Sequence, residues 1–301
     1  MTATVASAAV PVATAMAPHR STTNPVTSPD RRRAQRSRGK QMSKGPIHFA
    51  CVGCGRCCNS PPQMAIEEAL QLSDVFLLAA QINVWPTSKD FRFPTDDTDM
   101  RKSFLQLRDN AVALGGIQFE TDGVPLVATL CANVFNPPDD HCPALAEDGR
   151  CQIYKRRPYM CRALPFNHEL DARLAMRVFN RQYRHDCDWS STAPVVMRNG
   201  QIVDPQYAAD RVAASEGQRH DSELLVLLHD HKADATHDGT NIGNLIEQAS
   251  RQSEHEVCLR FVVLLEMMRG LERIGKLPAR YVLPSLADFH RAQATIIDSE
   301  K

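Results

Sequence analysis

The sequence has no apolar run approaching the roughly 20 residues that a membrane-spanning helix requires. The nearest, Val262 to Met268, is short and is broken by Glu266. Net charge is also missing, since 35 Lys and Arg balance 35 Asp and Glu. The balance is uneven along the chain: residues 1–45 hold eight Lys or Arg against Asp30 alone. The remainder carries 27 basic and 34 acidic residues, which argues against a specific nucleic-acid-binding surface. A glycine-rich strand-to-helix junction of the kind that cradles a nucleotide phosphate is absent, because Gly115-Gly116 precedes a strand pattern. No internal repeat is found.

Thiols are what the chain does have, ten of them. They do not read as a disulfide scaffold, which is short, secreted and evenly cross-linked. Four crowd into Cys51-Val-Gly-Cys54-Gly-Arg-Cys57-Cys58 and could not all pair with one another. Gly53 and Gly55 add no apolar bulk there and permit the sharp turns that aim several sulfurs at one point. Thiolate is the soft ligand that zinc and iron–sulfur clusters select, so metal binding in a reducing compartment is the leading reading.

Residues 1–45 lack a positive charge ahead of their Ala- and Val-rich part, which a secretory signal would have. Ser, Thr and Ala richness with late arginines fits an organelle transit segment or a solvated basic tail outside the fold. The expected location is accordingly the cytoplasm, or a plastid or mitochondrion if this segment is a transit peptide. A cysteine-cluster domain is expected over 46–191 and a mainly helical region over 192–301.

Along the first domain, Ile66, Ala69, Leu70, Ser73, Leu77 and Ala80 fall at helical spacing, predicting a helix that ends before Trp85-Pro86. Residues 86–101 read as loop, and Phe104 to Val112 as a helix stopped by Gly115-Gly116. Asp122-Gly123 predicts a hairpin between Ile117–Thr121 and Val124–Cys131, with Cys131 in its core. Asp148-Gly149 is a turn that brings Cys142 and Cys151 together, and Arg157-Pro158 starts a helical turn carrying Cys161. Asn199-Gly200 predicts a second hairpin, between Val195–Met197 and Gln201–Val203. Beyond it, Leu224, Leu225 and Leu228 form one helical stripe, and Ile242, Leu245, Ile246 and Ala249 another. Cys258, Phe261, Val262, Leu265 and Met268 form a third, which makes Cys258 a core residue. His229 and His231 stand at i and i+2, facing apart on a helix, and read as surface. The expected fold class is α+β: a small metal-stabilised cysteine-rich domain with short β-hairpins and helices, followed by a helical C-terminal region.

Setting Cys131 and Cys258 aside leaves Cys51, Cys54, Cys57, Cys58, Cys142, Cys151, Cys161 and Cys187 as candidate ligands. Eight thiolates suit two four-thiolate zinc sites, one iron–sulfur cluster with spare thiols, or two clusters. The C-x₂-C-x₂-C spacing of Cys51, Cys54 and Cys57 is shared with bacterial-type cluster ligation, while the C-x₃-C-x₂-C of a radical-SAM cluster is absent. Four thiolates on one zinc leave about two negative charges to offset. Arg56, Arg157 and Arg162 lie beside the candidate ligands and could donate to sulfur.

The motifs C-x-x-C-G-x-C-C, C-P-x-L and G-x-C-x-I-Y-x-x-R-P-x-x-C-R-x-x-P-F occur in order at Cys51–Cys58, Cys142–Leu145 and Gly149–Phe166. In this the chain resembles the YkgJ-type CxxCxxCC cysteine-cluster family, described as a zinc- or iron-chelating domain, with Cys187 in the place of a final cysteine. The resemblance covers roughly residues 46–190 and implies bound zinc or iron. The family's relatives include flagellin lysine N-methylases, which implies a link to methyl transfer. Three functions follow: a metal-binding protein without an assigned reaction, an iron–sulfur protein-lysine N-methyltransferase, or an interaction module whose acidic C-terminal helices bind a partner protein.

Overall fold

Leu78, Ala80, Ile82 and Val84 alternate with Gln81, Asn83 and Trp85, and that two-residue period makes a strand. The structure, a computed structural model, describes residues 45–53, 55, 57, 62–88, 91, 97–134, 142–182, 187–232, 240–252 and 255–299. The expected helix over 66–80 is therefore two elements. Helix α1 covers Ile66–Gln71 only, and Leu78–Pro86 is strand β3. The apolar residues of 78–84 satisfy both periods, and tertiary pairing decides in favour of the strand.

β3 is interior to an antiparallel sheet. Its partners are β5 (Val124–Val134) on one side and β8 (Glu256–Arg260) on the other. The far edge of β5 takes β2 (Gln63–Met64) and β4 (Ile117–Thr121). The β4–β5 hairpin forms as expected, with Asp122 and Gly123 at φ of 52° and 77°. The helix before it, α2, runs from Thr98 to Ala113, with the Asp97 side chain accepting from the amides of Asp99 and Met100. A second, three-stranded sheet joins β1 (Ile47–His48), β6 (Val195–Arg198) and β7 (Gln201–Ile202), the last two turning through Asn199-Gly200.

Helices α3 (Tyr159–Ala163), α4 (Ala172–Gln182), α5 (Pro205–Asp230), α6 (Ile242–Arg251), α7 (Phe261–Arg273) and α8 (Leu286–Ser299) complete the described elements. Cys258 lies on β8 and not on the helical stripe proposed for it. The helix begins at Phe261, and its buried face is Phe261, Leu264, Leu265, Met267, Met268 and Leu271, with Val262 only half-buried. The fold is α+β, but its strands reach nine and eleven residues and are not confined to short hairpins.

One face of the large sheet (Ala80, Ile82, Leu130, Ala132, Leu259) packs with α1 and α5–α8 into the main core. A smaller aromatic core gathers Phe49, Phe166, Met176, Phe179, Val196 and Met197 between the small sheet and α4. Strands and helices from both sides of residue 192 contribute to both sheets and both cores. Among the described residues, no helix is long and apolar enough to cross a membrane.

Candidate metal centre

Four separate stretches supply the described candidate thiols. The first stretch follows β1. The Phe49 amide donates to Pro194 O (3.0 Å), and Ala50 and Asp188 exchange two backbone hydrogen bonds of 2.9 and 3.0 Å. Cys51 and Cys187 are the next residues of that antiparallel register. The Phe49 ring packs on Trp189 at 4.9 Å and on Phe179 at 6.1 Å, which fixes this pairing to the aromatic core.

The loop then turns through Gly53 and Gly55, at φ of +71° and +70°. A Cβ on Gly55 would lie 2.6 Å from Gly149 O and 2.9 Å from Leu145 Cδ1, so only glycine lets the backbone approach this closely. Gly55 thereby seats the first cysteine loop on the turn between Cys142 and Cys151. That turn is tight: Ala146 N donates to Arg150 O and Gln152 N to Ala144 O, both at 2.8 Å, with Leu145 bridged to Cys151. Cys142 is 8% exposed and belongs to the main core, while Cys57 and Cys187 pack against the aromatic core.

Cys161 comes from α3, which packs on α5. Arg162 beside it sits 3.2 Å from the buried carboxylate of Asp210 and stacks over the Tyr159 ring at 4.3 Å. Arg157 lies 3.9 Å over the Tyr154 ring and donates from Nε to Tyr154 O. Both arginines therefore engage protein groups other than sulfur, but their charges stay near the thiols. Burial pushes the Tyr207 phenol up, with nearby Cys51 and Asp204 acting the same way while Arg157 opposes them. Tyr207 also touches Phe49 and Phe166. Neither Tyr207 nor Asp210 is legible as a site residue in the sequence, where they are two polar positions near the start of a long helix.

Cys54, Cys58, Arg56 and His141 lie outside the described residues, as do residues 1–44. Among the described residues, no three His, Cys, Asp or Glu groups stand together as a ready metal site. The donor chemistry nonetheless suits the expected metals. Cys51, Cys57, Cys142, Cys151, Cys161 and Cys187 all fall on these four stretches, and sulfur is the donor that zinc and iron–sulfur clusters prefer.

Cys131 and Cys258 stand apart from the four stretches. They flank Gln81 in one rank of the large sheet, on its polar face. Gln81 donates to Asn83 Oδ1 (2.7 Å) and Glu256 Oε2 (2.6 Å) and accepts from Asn133, while Asn83 donates to the Cys131 sulfur. Burial pushes the Cys131 thiol up and the Cys258 thiol to about 11, so neither is disposed to become thiolate. Cys131 belongs to a polar network and not to the apolar core expected for it.

Residues 50–188 match the model of the CxxCxxCC family, whose description reads "putative zinc- or iron-chelating domain". No curated protein and no solved structure matches the chain.

Proposed function

We propose that residues 50–188 hold zinc or iron through thiolates drawn from Cys51, Cys54, Cys57, Cys58, Cys142, Cys151, Cys161 and Cys187. What supports the reading above all is that Gly55 is pressed onto Gly149 while Ala50 pairs with Asp188, so that the first cysteine loop contacts both the Cys142–Cys151 turn and the segment at Cys187. The family match over the same stretch supports it. A bound metal would supply folding energy and cross-link the segments that carry the thiols. Arg157 and Arg162 would offset the negative charge of the thiolates from close by. Their ring and carboxylate contacts hold them in place for that task.

The test is anaerobic purification followed by metal and acid-labile sulfide analysis. A colourless protein with stoichiometric zinc, or a brown one with iron and sulfide, agrees with the proposal and names the metal. A folded protein with reduced thiols and neither metal refutes it.

A further inference from the structure

Behind the Cys161 segment lies a cleft of about 430 Å³, bounded by α1, residues 156–162 and α5. Its size falls in the range of small-molecule sites, about 300–1,000 Å³. α5 comes so close to α1 that a Cβ on Gly217 would lie 2.7 Å from that of Ala65. The charges of the cleft are sorted by wall. Arg156, Arg157 and Arg162 stand on the 156–162 segment, and Glu67, Glu216 and His220 on the two helices.

The cationic wall keeps donors in reserve. Arg156 gives one NH2 to Gln71 O (3.1 Å) and Asp74 (3.3 Å), and Arg157 gives Nε to Tyr154 O (3.2 Å). Arg162 engages Asp210 through NH2, while its buried Nε meets no acceptor among the described residues. On the opposite wall, Glu67 Oε2 is 4.0 Å from His220 Nδ1. Burial lowers the His220 pKa, with Arg280 and Arg219 acting the same way and Glu223 and Glu67 opposing them. Glu68 at the base already accepts from Tyr159 N (2.7 Å), and burial raises its carboxyl above the usual range. With Glu68 engaged by Tyr159, the carboxylates left open to the cleft are Glu67 and Glu216.

A simple anion entering this cleft would meet those two carboxylates, and a simple cation would meet three guanidinium groups. Only a ligand carrying both signs complements both walls. We infer that the cleft binds a small zwitterion with one carboxylate and one amine, of which an α-amino acid is the simplest. Its carboxylate lies toward Arg156 and Arg162, and its amine toward Glu67 and Glu216. The inference does not require the metal, although the Arg157–Arg162 segment serves both places.

Calorimetry on the full chain as purified, with each of the twenty common L-amino acids as titrant, tests it. At least one is expected to bind with one-to-one stoichiometry. Its N-acetyl form, which lacks the amine charge, and its carboxamide, which lacks the carboxylate, should each bind at least tenfold more weakly. Glu67→Gln, Glu216→Gln and Arg156→Gln alter solvent-facing side chains and should weaken binding of the parent amino acid by a similar factor. Metal content measured on the same samples separates failure here from failure of the thiolate centre. Absence of any binder, or equal binding by the N-acetyl form, the carboxamide or inorganic phosphate, overturns the inference.

Discussion

Asp221 is 1% exposed, and both of its carboxylate oxygens accept from one amide, that of Ile66 at the start of α1, at 3.0 and 3.1 Å. Burial raises its pKa well above the ordinary 3.8, the Ile66 hydrogen bond opposes this, and Glu68 and Glu67 add to the rise. An acid whose folded pKa is raised contributes stability that is fully present below its unfolded pKa and is lost as pH climbs through the folded value. Asp221→Asn keeps an oxygen for the Ile66 amide and removes the titration. Urea unfolding at a series of pH values should show the stability of wild type relative to this variant falling from about pH 4 toward neutrality. Parallel profiles would mean that folding does not raise the Asp221 pKa. Nothing in the sequence marks this aspartate, because its partner lies 155 positions away. The cysteine motifs are the opposite case. Their spacing, glycines and turns are local, so the Asp148-Gly149 turn could be read from the sequence alone.

The elements divide along the same line. Both hairpins were legible because Asp122-Gly123 and Asn199-Gly200 supply the positive φ angles that their turns need. Strand β3 was not, since an apolar run of this length satisfies two periods, and its pairing with β8 joins residues 79–83 to 256–260. Cys258 reads as helical in the sequence for a related reason: the stripe from Phe261 onward extends backward by three residues with no local signal to stop it. β8 bears directly on the boundary expected near residue 192. A chain ending at residue 191 would lose the strand that covers one edge of β3, together with Leu264, Leu265 and Met268 from the main core. Such a fragment should show no cooperative thermal transition by circular dichroism, even when loaded with zinc or iron. A sharp transition close to that of the full chain would establish 46–191 as an independent domain.

At the scale of the whole molecule, a large core built on the five-stranded sheet meets a small aromatic core built on β1, β6 and β7. The cysteine loops occupy that junction, with Cys142 in one core and Cys57 and Cys187 against the other. A thiolate-bound metal placed there would cross-link segments far apart in sequence, and for that reason metal loss should cost more than a local loop. The central claim is tested most directly by the metal content of four purified proteins measured side by side: wild type, Cys161→Ser, Cys187→Ser and Cys258→Ser. The account predicts stoichiometric zinc or iron in wild type and Cys258→Ser, with a clear loss in Cys161→Ser and Cys187→Ser. Metal retained in both of the latter variants, or lost in Cys258→Ser alone, would contradict it.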